Sequence, residues 1–428
     1  MTVILPSTER WPAVLKSLRG PIFKRFAVLA GGSVAGQVQM LLVLPIITQI
    51  YAPSDFGLLA AFSSIVMLVL PAAALRFDLA IPIPANDCDA RSLAALGFIS
   101  LSVVALLVWL LLHPLVGLLG EQFVILFERH GWLIPLTVWT AGLFSLTQYW
   151  AIRRRHFKEL AWSHGSRGLV GASTQVALGL AGAGSLGLLI GQAIYMGLGA
   201  IYLSMSFLRA ELHDLRNLSS AALRITAKKY WRFPIFSTPE SLLDAAGMHL
   251  PLLLVASLSG AEEAGLLFLA QRLTAVPIAL ISGNLSRVYI GEAPAHLANS
   301  NLHAFTMGLW RKLFLIGLGP ALLFVVSAPL FTEMIFGVEW SPVGNLIVML
   351  TPAVFMQFCV IPISTALLVL KKQAVAMILQ AFGLVAQIGS FLWAYFSGIT
   401  EPLIGLAAGA ALYYCAYTIT VFRATKGS

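Results

Sequence analysis

The sequence predicts an all-α integral membrane protein: twelve transmembrane helices in two six-helix lobes related by pseudo-two-fold symmetry. Three observations carry this expectation. The 428 residues are 59% hydrophobic and only 11% charged, where soluble proteins hold roughly a quarter charged residues. The apolar residues fall in blocks between short polar breaks, each block long enough to supply the ~20 helical residues that cross a bilayer core of ~30 Å. A short segment also recurs about half a chain later, the signature of an internal repeat.

The blocks lie at roughly 26–50, 56–77, 92–113, 131–152, 164–182, 185–207, 235–258, 264–286, 305–330, 343–369, 374–396 and 402–422. Their breaks sort by charge, and Lys and Arg near span ends stay on the cytoplasmic side. With the N-terminus inside, the inner breaks hold Lys24, Arg25, Arg76, Arg91, the run Arg153 to Arg155 with Lys158, the basic stretch Arg209 to Arg232, Arg287, Arg311, Lys312, Lys371, Lys372 and Arg423. The outer breaks hold Arg129 among acids such as Asp55, Glu121, Glu262, Glu263, Glu333, Glu339 and Glu401. Both termini are therefore expected in the cytoplasm. The net charge of +9 follows from topology and calls for no nucleic acid.

Five parts result: a cytoplasmic N-terminal segment 1–25, an N-lobe 26–208, a cytoplasmic linker 209–234, a C-lobe 235–422 and a tail 423–428. In the first, Trp11, Val14, Leu15 and Leu18 share a helical face beside Lys16 and Arg19, a pattern suited to lying on a membrane or to disorder. No cleavable signal is visible. Cys88, Cys359 and Cys415 are placed for no disulfide framework.

The repeat is SDFGLLAAFSSI from Ser54 against EEAGLLFLAQRL from Glu262, aligning Gly57, Leu58 and Leu59 with Gly265, Leu266 and Leu267. Each copy follows an acidic turn and opens an even-numbered span. Two six-span halves would be parallel repeats about an axis normal to the membrane, with a cavity between them. Gly32 and Gly36, Gly187 and Gly191, and Gly405 and Gly409 have the spacing that lets helices approach closely. Nine glutamines, Gln37, Gln39, Gln148, Gln175, Gln192, Gln271, Gln357, Gln380 and Gln387, fall within spans. They either join helices or line a cavity for sugar hydroxyls, since amides both donate and accept.

The seventh span carries the most expensive residues. In PESLLDAAGMHLPLLLVASL (239–258), each Leu or Val favours insertion by about 0.3–0.6 kcal/mol, and one central Asp opposes it by about 2.5–3.5. Glu240 and Asp244, four residues apart, share a helix face that must look into protein or water. His249 lies well round the helix, which argues against a three-ligand metal site. The eighth span brings Gln271 and Arg272, and an ion pair between Asp244 and Arg272 is geometrically open. Two readings stand: the pair locks two helices, or Arg272 meets an anionic substrate group while Glu240 or Asp244 titrates or holds a coupling cation. No G-x-x-x-x-G-K-[ST] loop occurs, and no outer break has room for a catalytic domain, so an enzyme is not expected.

TQIYAPSDFGLLAAFSSI (48–65) and RFDLAIPIPANDCDARSLAAL (76–96) together resemble the opening of bacterial polysaccharide-synthesis membrane proteins, the O-antigen flippase family. Arg76, Phe77, Asp78, Ala80, Ile81 and Pro82 match its motif, with Ile83 and Pro84 where Leu-Pro is usual. The resemblance implies the multidrug/oligosaccharidyl-lipid/polysaccharide (MOP) exporter superfamily: two lobes in a V, a cationic central cavity and alternating access. It implies an undecaprenyl-diphosphate-linked oligosaccharide as cargo, in the bacterial inner membrane, without ATP and with a Na+ or H+ gradient as the driving force. Asp244 is the position it suggests for ion coupling, with Glu240 beside it. Arg272, Gln271 and Gln37 would line the substrate path, and Arg76, Arg153 and Arg287 would capture the diphosphate at the inner mouth. No cofactor is called for; the candidate partners are membrane lipids and the glycosyltransferases and polymerase of the same pathway, and a monomer is expected. The rival reading is a cation-coupled exporter of small amphiphilic molecules.

Overall fold

The computed structural model describes residues 21–115, 124, 128–216 and 218–426; the expected amphipathic face around Trp11 lies outside them. Among the described residues, twelve helices of 21 residues or more follow the twelve predicted blocks one for one. The N-lobe holds α1 (Pro21–Ile50), α2 (Pro53–Ala73), α3 (Asp87–Leu115), α4 (Leu133–Arg153), α5 (Phe157–Leu180) and α6 (Ser185–Arg216). The C-lobe holds α7 (Thr238–Leu258), α8 (Ala261–Ala298), α9 (Leu302–Phe336), α10 (Ser341–Ser364), α11 (Gln373–Phe396) and α12 (Leu403–Lys426). Among the described residues, eight segments are long and apolar enough to cross a membrane.

The pairing of helices shows the repeat. In the N-lobe α1 packs on α5, α5 on α6, α6 on α4, and α4 on both α3 and α2. Each contact recurs six helices on: α7 on α11, α11 on α12, α12 on α10, and α10 on both α9 and α8. The lobes meet chiefly where α2 lies against α7 and α8. The repeated Gly-Leu-Leu segments sit on that seam. A side-chain carbon at Gly57 would collide with the Ala261 carbonyl, and one at Gly265 with the Pro53 carbonyl. Only glycine permits so close an approach of two backbones.

Because successive helices run in opposite directions, the acidic breaks collect at one end of the bundle and the basic breaks at the other. At the acidic end the lobes are locked by Trp340, 1% exposed. Its indole Nε1 donates to the Thr48 carbonyl at 3.1 Å, and its ring meets Phe56 edge-on at 4.7 Å. Trp340→Phe keeps the ring contact and removes the donor, so it should weaken the seam by about 1 kcal/mol. A lower midpoint of thermal unfolding in detergent is the expected reading, and an unchanged midpoint would assign the seam to packing alone.

The linker is helical over much of its length: α6 continues to Arg216, Ser219 caps a helix Ser220–Lys229 by accepting from the Ala222 amide at 3.1 Å, and a π-turn Phe233–Ser237 leads into α7. Pro82 and Pro84 would be expected, from proline's fixed φ, to carry the chain away from α2 in extended form, but they do not follow it directly. Leu75 and Arg76 adopt left-handed backbone (φ 48° and 58°), and Phe77–Ala80 forms one more helical turn before the prolines.

Candidate functional site

Between the lobes lies a cavity of about 500 Å³, within the size range of small-molecule sites. The N-lobe contributes Ser63, Ser64 and Met67 from α2 and Gln192 and Met196 from α6; α7, α8, α10, α11 and α12 supply the remaining walls. Five of the nine glutamines face it: Gln192, Gln271, Gln357, Gln380 and Gln387. Gln175 instead is buried and donates to the Leu188 carbonyl, joining α5 to α6. Some amides thus line the cavity, and one joins two helices.

On the N-lobe wall, Ser63 Oγ and Gln192 Oε1 are buried without a hydrogen-bond partner. Buried polar atoms are rarely left so, and donors entering the cavity would satisfy both. The C-lobe wall carries Asp244, Arg272 and His249, with Phe268, Tyr413 and Tyr414 among them. Among the described residues no three His, Cys, Asp or Glu side chains are grouped to hold a metal ion.

The structure brings Asp244, Gln271 and Arg272 to one cavity but does not pair the two charges. Asp244 Oδ1 accepts from the Gln380 amide at 3.1 Å. The Arg272 guanidinium lies 5.5 Å from the ring of Phe268, one turn back on its own helix. Among the described residues no ion pair joins it to Asp244. Depth along a helix was readable from the sequence; direction around it was not, and the amide on α11 displaces the expected partner.

The remaining nominated residues lie elsewhere. Glu240 is exposed and does not line the cavity, and Gln37 is half-buried on α1 away from it. The donors of Arg153 are occupied: Asp87 accepts at 2.7 Å, and the Ile81 and Pro84 carbonyls at 3.3 and 2.5 Å. Arg76 Nε donates across the lobes to Ser241 Oγ at 2.7 Å. Asp78, matched in the motif that follows α2, is buried at 5% exposure and accepts from Ser145 at 2.6 Å. Arg287 is exposed towards the basic end of α8.

One candidate residue escaped the sequence reading. Arg167 on α5 stacks 4.4 Å from the Phe144 ring and 5.2 Å from Tyr195, with Nη2 3.2 Å from His164 Nδ1. Its Nε is buried without a partner, and no carboxylate pairs with it among the described residues. Tyr195, on the same turn of α6 as the cavity residues Gln192 and Met196, lies within electrostatic reach of both Arg167 and Arg272. One guanidinium from each lobe thus lies within electrostatic reach of Tyr195, and among the described residues neither forms an ion pair with a carboxylate. The available signal was an arginine inside the fifth block, three residues after His164.

Comparison with known proteins agrees with this architecture. A family model described as polysaccharide biosynthesis protein matches residues 46–345. An inward-facing multidrug resistance MATE family transporter of the MOP superfamily superposes with a TM-score of 0.68 at 16% identity, over 91% of this chain and 94% of that one. The Vibrio cholerae MATE transporter VcmN gives 0.58 at 15% identity, over 95% and 97%. A Pyrococcus furiosus MOP superfamily transporter, described as having a binding pocket of reversed polarity, gives 0.55 at 16% identity, over 96% and 97%. No curated protein sequence matches. Matched by one family over most of its length, the chain belongs to the polysaccharide biosynthesis protein family, and it shares the fold of these MOP superfamily transporters.

Proposed function

We propose that the protein is a flippase for undecaprenyl-diphosphate-linked oligosaccharide, moving an O-antigen, capsule or exopolysaccharide unit from the inner to the outer leaflet of the bacterial inner membrane. The observation that carries this reading is Arg272 in a cavity lined by amides, with Arg167 of the opposite lobe also within electrostatic reach of Tyr195, neither arginine in an ion pair with a carboxylate among the described residues. A guanidinium held out of water without a counter-charge is costly by several kcal/mol, and an anionic group between the lobes would offset that cost for both. Its planar fork suits phosphate. The amides and the orphaned Ser63 and Gln192 atoms would take the proximal sugars, while the isoprenoid tail stays in the bilayer. Both termini and the basic end face the cytoplasm in this reading.

The seam supports alternating access in this reading. The acidic end is closed by Trp340 and the glycine contact, so release on that side requires these to part as the lobes rock. The test is transport itself: the purified protein in proteoliposomes should move a fluorescent diphosphate-linked oligosaccharide lipid between leaflets and should not move the same lipid carrying a neutral linkage. Equal rates for the two would remove the diphosphate from recognition.

Asp244 is the proposed coupling residue, exposed in the cavity and within electrostatic reach of Arg76, Tyr413 and Tyr414. Asp244→Asn should make transport insensitive to an imposed Na+ or H+ gradient, at a rate near that of the wild type without a gradient. Retained gradient dependence would leave Asp244 only its bond to Gln380. The acidic and aromatic C-lobe wall favours a second reading, export of small amphiphilic cations; uptake of such a cation in the same vesicles, with no movement of the glycolipid, would establish it instead.

A further inference from the structure

The linker between the lobes carries a feature that cargo binding does not use. Its helix Ser220–Lys229 packs on α3, with Thr226 buried at 2% exposure, and Lys229 Nζ is bound to Asp89 at 2.7 Å. These contacts fix which face looks outward. On that face and in the turns that follow, Arg224, Lys228 and Arg232 are exposed at intervals of four residues. None forms an ion pair among the described residues. The neighbouring acids are already taken: Asp89 by Lys229, Asp214 by Arg91, and Glu211 by Arg91 and Arg154. Glu240 is the single acid in the stretch 218–240. Among the cations stand large apolar side chains in the open, Ile225 at 67%, Trp231 at 45%, Ile235 at 56% and Phe236 at 60%.

We propose that this linker face is a binding surface for anionic phospholipids of the adjoining leaflet. Charge alone would suit any polyanion, but a soluble one would leave Ile225, Trp231 and Phe236 in water. The headgroup region takes both kinds of side chain at once: phosphates pair with Arg and Lys, and an indole sits at the boundary with the acyl chains. The surface needs no particular cargo, so it stands apart from the flippase reading. It would hold the linker to the membrane plane while the lobes rock on either side of it.

The test is lipid selection by the full-length protein, measured by native mass spectrometry after exchange into mixed phosphatidylglycerol and phosphatidylcholine micelles. The wild type should retain phosphatidylglycerol preferentially. The triple variant Arg224→Gln, Lys228→Gln, Arg232→Gln should lose on the order of a hundredfold in that preference, each basic side chain near an anionic surface being worth about 1 kcal/mol. Arg224→Lys with Arg232→Lys should retain it, and so should Arg311→Gln with Lys312→Gln, which removes two exposed cations on α9. Equal loss in the α9 variant would make the preference a general property of the basic end and overturn the assignment. So would a wild-type preference that survives 1 M salt, where the ~3 Å Debye length screens exposed charges. This last measurement needs no variant to fold.

Discussion

Arg272→Ala should reduce glycolipid transport to background, and Arg272→Lys should retain a fraction of it, roughly a tenth. Truncating one partner of a desolvated charged pair costs about 2–5 kcal/mol, which is about thirtyfold to several thousandfold in the occupancy of the competent complex. Lysine keeps the charge but offers a point where arginine offers a fork, so it loses the second hydrogen bond to a phosphate. Arg167 tests the same anion from the other lobe. Because its guanidinium also stacks on Phe144 and Tyr195, Arg167→Ala should lower thermal stability as well as transport, whereas Arg272→Ala should affect transport chiefly. If both arginines hold one diphosphate, the double variant should bind no more weakly than either single variant within the assay, a non-additivity expected of residues that share a partner. Binding of the diphosphate lipid by detergent-solubilised protein separates this from a defect in rocking. Full transport by Arg272→Ala and Arg272→Lys alike would remove the residue from the mechanism.

How far the sequence could be read depended on whether a property runs along a helix or around it. Span lengths, the polarity of the breaks and the Gly57/Gly265 match are one-dimensional quantities, and each reappears in the fold as a helix, an end of the bundle or the lobe seam. Asp244 and Arg272 were located in depth by the same reasoning. Their partners were not, because Gln380 and Phe268 are chosen by rotation about the helix axis and by helices distant in sequence. The same limit explains Arg153, proposed for capture on its charge and position but bound to Asp87 and two carbonyls of the motif that follows α2. Arg167 was overlooked for a different reason. It lies within the first turn expected of its span, where an arginine passes for an interfacial anchor, and only the packing of α5 against α6 shows it among aromatic rings with a buried, unpartnered Nε.

Gly57→Val should abolish transport while leaving each lobe folded. The seam at the acidic end is built from backbone against backbone, since a side chain at Gly57 would fall on the Ala261 carbonyl and one at Gly265 would fall on the Pro53 carbonyl and 2.8 Å from the Gly57 amide nitrogen. Neither obstacle is the flexible tip of a side chain, so rotamer changes cannot absorb it and the two backbones must separate. The substitution therefore acts on the arrangement of lobes. The helix pairs that build each lobe, α1 on α5 or α7 on α11, lie away from the point of contact. A transporter that must close this end to expose its cavity at the other loses that state of its cycle. Gly265→Val should give the same result, because the two glycines are equivalent positions of the repeat facing each other across the seam. Spin labels at Ser54→Cys and Glu339→Cys, both exposed at the acidic end of opposite lobes, would report the opening as a longer and broader distance in a background lacking Cys88, Cys359 and Cys415. The expected result is an increased distance together with loss of transport. Wild-type transport in both valine variants would mean that the cycle never requires these backbones to touch.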